Sequence, residues 1–216
     1  MMNLWLSCFL LFASPFLSSS APTPEECQAL VTPVSLANSS VTFGRVNLLV
    51  GYSDYDAFKT IMKMTDSAWR NISALPISPT EFLMFQTQKI NGTCVEVKSK
   101  VTVEGDTVTA SATNTTSVFH VLPSCKGCLV LSATTTGKNF KNVLKLLKID
   151  SASETDELHT RVLYLFGEGL TLKDSDLEHF KKQASCLGFS GEPDFHYNPE
   201  KSFCQEGEGF KVLDSQ

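Results

Sequence analysis

Apolar and polar positions alternate in short blocks over most of the chain, and each block reads as a strand with one buried face. The first apolar stretch runs from Val41 to Tyr52 around Gly44 and Gly51, which leaves room for a bulge. Later blocks are Glu81 to Lys89, Thr93 to Val103 (Val95, Val97, Val101 and Val103 between polar neighbours) and, past the turn Glu104-Gly105-Asp106, Thr107 to Thr113. Ser117 to Leu122, Cys128 to Thr134, Asn142 to Ile149 and His159 to Phe166 complete a set of eight strands at hairpin spacing. Two-fold alternation of this kind is the pattern of antiparallel sheets with one wet face.

Two stretches break the period. Asp56 to Trp69 carries Phe58, Ile61, Met62 and Trp69 at helix-compatible spacing, and reads as a short helix or as a second piece of extended chain. From Thr171 to Cys186 the residues Leu172, Leu177, Phe180 and Ala184 recur at helical intervals, with Thr171 or Ser175 as cap and Gly188 as stop. Residues 22–40 are rich in proline, serine and threonine and read as irregular with a short helical turn. Eight meandering strands followed by a helix predict an all-β fold, an eight-stranded antiparallel up-and-down barrel with one C-terminal helix packed outside. A β-sandwich is the competitor on periodicity alone. A barrel of this size can hold one small ligand.

The N-terminus changes the compartment. Residues 1–20 are apolar and uncharged, with Leu4, Trp5, Leu6, Phe9, Leu10, Leu11 and Phe12 leading to Ser18, Ser19, Ser20 and Ala21, which reads as a secretory signal. As an uncleaved anchor it is short and broken by Pro15. Residues 21–216 then form a single domain, roughly 195 residues, long enough for a real core. Cys8 leaves with the leader, so Cys27, Cys94, Cys125, Cys128, Cys186 and Cys204 remain as an even set suited to an oxidising compartment. On physical grounds Cys27 and Cys94 each pair with one of the two late cysteines. Cys125-Lys126-Gly127-Cys128, between two strands, reads as a local disulfide, with long-range pairing and redox chemistry as alternatives. Asn38, Asn71, Asn91 and Asn114 each begin an Asn-x-Ser/Thr acceptor for N-glycosylation and are expected on the surface, in loops.

The net charge of −5 and the absence of a basic cluster argue against nucleic acid. His120, His159, His179 and His196 are too scattered for a metal site, and no nucleophile elbow or phosphate loop occurs. No catalytic residue, metal or cofactor is expected, and the chain is read as no enzyme. Ligand binding is the better reading, with Met84, Phe85, Phe119, Val130, Tyr164 and Phe166 supplying apolar surface. Met84 and Phe85 are strand neighbours and cannot both face inward. Arg161, three residues from Tyr164, should face solvent.

Several local patterns carry a family resemblance. These are Glu26-Cys27 with Leu30-Val31 and Pro33, Gln86-Thr87-Gln88 leading to Cys94, Leu177-Glu178-His179-Phe180 to Cys186-Leu187, and Phe195-His196-Tyr197 to Lys201 and Cys204. With these the chain resembles the lipocalins, in particular their orosomucoid branch, over most of its mature length. The resemblance implies the disulfides Cys27–Cys186 and Cys94–Cys204, while Cys125 and Cys128 have no counterpart in that branch. It implies ligand contacts at Met84, Gln86, Val130, Ser132, Tyr164 and Phe166, with Met84 in place of an acidic residue and Ser132 in place of an aromatic one. The family's Gly-x-Trp is broken, since Gly44-Arg45-Val46 puts Val46 where the barrel-closing tryptophan should stand.

The function so implied is a secreted, monomeric carrier in blood plasma. It would reversibly bind small hydrophobic or amphipathic molecules (xenobiotics, toxins, organotin or steroid-like compounds) without nucleic-acid or membrane partners. Gln86, Ser132 and Tyr164 would donate hydrogen bonds, and the faces of Tyr164 or Phe166 would suit a cationic guest. The alternative is a glycosylated acute-phase or immunomodulatory protein that acts through its surface.

Overall fold

The computed structural model describes residues 22–36, 44–75, 78, 80–112, 114–149 and 156–213. The leader and Asn38 lie outside them. Eight antiparallel strands follow one another around a barrel: β1 (Gly44–Ser53), β2 (Thr65–Ala74), β3 (Glu81–Ile90), β4 (Thr93–Glu104), β5 (Thr107–Ala112), β6 (Thr115–Leu122), β7 (Cys128–Gly137) and β8 (Leu158–Gly167). Each pairs with the next, and β8 pairs back onto β1, so the cylinder is closed. A register shift between Leu48 and Val50 interrupts the β1–β8 ladder, the bulge that the glycine-flanked first strand suggested.

Three helices accompany these strands, and a fourth precedes them. Helix α1 (Pro24–Val31) opens with a capping box in which Thr23 and Glu26 satisfy each other's backbone N–H groups. Helix α2 (Asp56–Met64) joins β1 to β2, and α3 (Phe140–Leu146) lies between β7 and β8. Helix α4 (Asp174–Cys186) has neither Thr171 nor Ser175 as a side-chain cap. Its N-cap is Lys173, and Asp174 and Asp176 in the first turn complement the helix dipole instead. Gly188, at φ +83°, ends it as expected.

Two assignments change. Asn142 to Ile149 is not a strand: Phe140, Val143, Leu144 and Leu147 fall on one helical face and pack together, while Leu146 on the opposite side is 48% exposed. The count of eight is kept by β2, which begins inside the segment read as helix-compatible. Helix α2 stops at Met64 and the chain passes directly into extended structure at Thr65.

Outside the barrel, α4 lies against the outer faces of β7 and β8, where Phe180 and Gln183 meet Val130 and Leu165. Disulfide Cys27–Cys186 fastens α1 to it. Gln183 donates from Nε2 to the carbonyls of Leu30 and Pro123, linking α4 to α1 and to the β6–β7 connection.

The C-terminal segment straps β1 to β4. Short strand β9 (Phe195–His196) pairs with β1, and β10 (Phe210–Leu213) runs parallel to β4. Between them Trp69 Nε1 donates to the Cys204 carbonyl, Lys201 pairs with Asp66 at 2.8 Å, and Cys204 is bonded to Cys94. The Glu96 carboxylate accepts from the backbone N–H groups of Gly207 and Gly209. A Cβ on Gly209 would lie 2.7 Å from Glu96 Cγ, so only glycine admits this approach.

Candidate functional site

Strand alternation decides what the barrel interior contains. From β3 the residues Met84, Gln86, Gln88 and Ile90 point inward, and from β4 Val95, Val97 and Ser99. Strands β5 and β6 contribute Ala110, Ala112, Thr115, Ser117 and Phe119, β7 contributes Thr135, and β8 contributes Leu158 and Tyr164. Together they enclose a cavity of about 190 Å³. At the end of the barrel where β1 meets β2 and β7 meets β8, α2 and α3 close it over. Phe58 and Ile61 from α2, and Phe140, Val143 and Leu147 from α3, complete the lining there. These helices share a second apolar cluster with Ile90, Val95 and Leu158, separate from the main core.

The other end is finished by a charged residue. Arg70, on β2, is 3% exposed and projects into the cavity beside Val46, its partner on β1, and Gln86, its partner on β3. Its Cζ lies 3.5 Å from the centroid of the Phe166 ring, and 5.8 and 5.9 Å from those of Phe119 and Tyr164. The nearest acceptor to Nη1 is the Met84 sulfur at 4.0 Å, a weak contact, and Nε is buried without a hydrogen-bond partner among the described residues. Among the described residues no carboxylate lines the cavity.

Burial pulls the Arg70 pKa down to about 9, slightly opposed by the neighbouring Tyr164. It therefore stays charged at neutral pH. Burial likewise pushes the Tyr164 hydroxyl upward, so it is a neutral donor there. The guanidinium occupies the Phe166 face that had been read as a place for a cationic guest.

Met84, Gln86 and Tyr164 line the cavity, with Met84 rather than Phe85 inward. Phe166 lies beneath the Arg70 guanidinium and is not itself among the residues that line the cavity. Val130 and Ser132 belong elsewhere. The β7 ladders run without a register shift, and Val130 lies in the space under α4 with Leu165 and Phe180, so Val130 and Ser132 share the outer face. Their places inside are taken by Leu129, Leu131 and Ala133, all buried and on the face of Thr135. A one-residue offset exchanges every side chain between faces. The run Leu129-Val130-Leu131 hides that offset, because α4 makes the outer face apolar too.

The remaining candidates are outside the cavity. Arg161 is half-exposed and pairs with Asp54 at 2.7 Å. Burial works to raise the Asp54 carboxyl, but hydrogen bonds from the backbone N–H and the guanidinium of Arg161, with its charge and the Thr160 hydroxyl, together hold it below its usual value. Trp69 packs on the outer face of β2, with Arg45 over its ring at 4.3 Å, so the middle residue of the broken Gly-x-Trp also points outward. Asn91 and Asn114 occupy exposed hairpin turns at φ 46° and 61°. Asn71 is not in a loop but within β2, half-buried between Arg45 and Phe85. Cys125 and Cys128 are joined to each other across the β6–β7 connection. Cys94, Cys204 and Glu208 come close enough to hold a metal, but the two sulfurs are joined in a disulfide and offer no thiolate.

No family model matches the chain, and no curated protein matches it. Solved structures do. Siderocalin Q83, described as having a dual ligand-binding mode, superposes with a TM-score of 0.55 at 13% identity, over 77% of this chain and 94% of its own. Siderocalin Ex-FABP, described as functioning through dual ligand specificities, gives 0.53 at 12% identity, over 72% and 93%. At such identity the likeness establishes the fold, a lipocalin-type β-barrel.

Proposed function

We propose that this lipocalin-type barrel is a secreted carrier that reversibly binds small hydrophobic or amphipathic molecules in its cavity. The observation that carries the reading is the cavity inside the barrel, lined by apolar side chains together with polar ones such as Arg70, Gln86, Gln88, Ser99, Ser117 and Tyr164. Apolar burial supplies affinity in such a site, and the few polar groups orient the guest. Among the described residues the lining contains no aspartate, glutamate, histidine or cysteine, which favours carriage over catalysis. The apolar leader, the three disulfides and acceptors at exposed turns (Asn91 and Asn114) fit an extracellular protein, with blood plasma as its compartment.

Xenobiotics, toxins, steroid-like compounds and organotin species are the guests suggested by the resemblance to the lipocalins. Size narrows the range. A cavity of about 190 Å³ is below the roughly 300–1,000 Å³ of drug-sized sites, which favours small guests. With every described cysteine in a disulfide, binding of organotin rests on burial rather than thiolate coordination.

The test is thermal melting of the glycosylated, oxidised protein against a panel of such compounds, with native mass spectrometry for stoichiometry. A ligand at a hundred times its Kd adds about 2.7 kcal/mol, which raises the melting midpoint by roughly 5–10 °C for a domain of this size. A panel in which no compound shifts the midpoint and no guest is seen would sink the reading.

A further inference from the structure

Arg70 is an unrewarded expense as far as folding is concerned. An ionised group taken from water into a barrel interior loses several kcal/mol of hydration, which is normally recovered from a carboxylate partner and a full set of hydrogen bonds. Arg70 has neither. Among the described residues its contacts are three aromatic faces and a thioether, and Nε has no acceptor. The ring contact with Phe166 at 3.5 Å returns part of the loss but uses none of the five N–H donors.

These donors face the cavity together with two neutral polar groups. Gln86 is the cross-strand neighbour of Arg70, and Tyr164, on β8 two strands away, has its ring centroid 5.9 Å from the guanidinium carbon. Beyond them toward α2 and α3 the lining is mainly apolar, with Ile90, Val95, Val97, Phe58, Ile61, Phe140 and Leu158. The site thus has a cationic floor and a hydrophobic shaft.

We propose that the cavity is a receptor for small anionic amphiphiles: the apolar body fills the shaft, and a carboxylate or comparable singly charged head pairs with Arg70, aided by Gln86 and Tyr164. This rests on the carrier reading and adds its selectivity. The pairing supplies the counter-charge and acceptors that Arg70 lacks, and charge-assisted N–H···O⁻ bonds are strongest where water is excluded. Cationic guests are rejected by the same charge, which removes guanidinium toxins from the proposed range for this cavity.

The test compares three probes of one chain length, octanoate, 1-octanol and octylammonium, by isothermal titration calorimetry on the full oxidised protein at neutral pH. Octanoate is expected to bind at least about tenfold more tightly than octanol, the worth of one charge-assisted contact, and octylammonium not at all. In Arg70→Met and Arg70→Gln, octanoate should lose about tenfold to a hundredfold while octanol binds as well or better. Equal affinity of the native protein for octanoate and octanol would overturn the proposal, as would octylammonium binding as tightly as octanoate. So would an Arg70→Gln protein of native circular dichroism that keeps the preference. The comparison on the native protein stands even where a variant does not fold. If octanol or the wider panel binds and octanoate has no advantage, only this inference falls. If nothing binds, the carrier reading falls with it.

Discussion

At Arg70 stability and binding pull in opposite directions, and this can be measured without any ligand. Replacing the buried guanidinium by the apolar side chain of methionine removes a desolvated charge worth about 1–3 kcal/mol or more, offset in part by the lost contact with Phe166. Arg70→Met is therefore expected to unfold at higher urea than the native protein, by roughly 1 kcal/mol of stability. A clear loss would show instead that the cation is structural. The residue could not be singled out from its neighbours in the sequence, where Asp66, Ser67 and Asn71 surround it with polar text. Met84, Tyr164 and Phe166 stand on strands whose alternation gives each a face, whereas Gln86 enters only through the resemblance. Alternation states which residues share a face but not which face is inside, and Val130 and Ser132 show the consequence.

Among the elements, β2 is legible only as the extended alternative over part of Asp56 to Trp69, for the same reason that its arginine is hidden. A strand is recognised by an apolar face and a wet one, yet β2 turns Ala68, Arg70 and Ile72 inward and puts Ser67 and Trp69 under the C-terminal strap. Neither face alternates cleanly, because one holds a charge and the other is covered. In α3, apolar residues at helical intervals in so short a segment also satisfied a strand pattern, and only its packing against α2 separates the two. The strap itself has a pH signature. The side-chain hydrogen bond from Lys201, first among the causes, holds the Asp66 carboxyl below its ordinary value. A depressed folded-state pKa adds stability above the unfolded value, near 4, that disappears as pH falls through the folded one. The native melting midpoint should therefore drop below about pH 4, and Asp66→Asn should show a shallower drop over that window. An identical profile in the variant would mean that other carboxylates govern acid unfolding.

For the whole molecule, closure of the barrel and the ties around it determine how much chain is constrained. Cys27–Cys186 spans 159 residues and Cys94–Cys204 spans 110, against 3 for Cys125–Cys128. Long loops lose most when their link is cut. Replacing Cys27 and Cys186 by alanine should cost about 2–5 kcal/mol in urea unfolding, and the same change at Cys125 and Cys128 clearly less. Ligand affinity should survive the first change, because α1 and α4 pack on the outside of the cavity wall. By itself the sequence determined the class of this protein: period-two blocks at hairpin spacing, a terminal helix and an even set of cysteines specify a strand-built, disulfide-tied domain, since each is a local signal. The pairing of β8 with β1 separates a barrel from a sandwich. Only the tertiary structure decided which faces of β2 and β7 turn inward, that α3 and α2 close one end, and that the floor is an unpaired arginine on Phe166. Those outcomes depend on what covers each strand from a distance. A charge held inside by its surroundings has no local pattern to announce it.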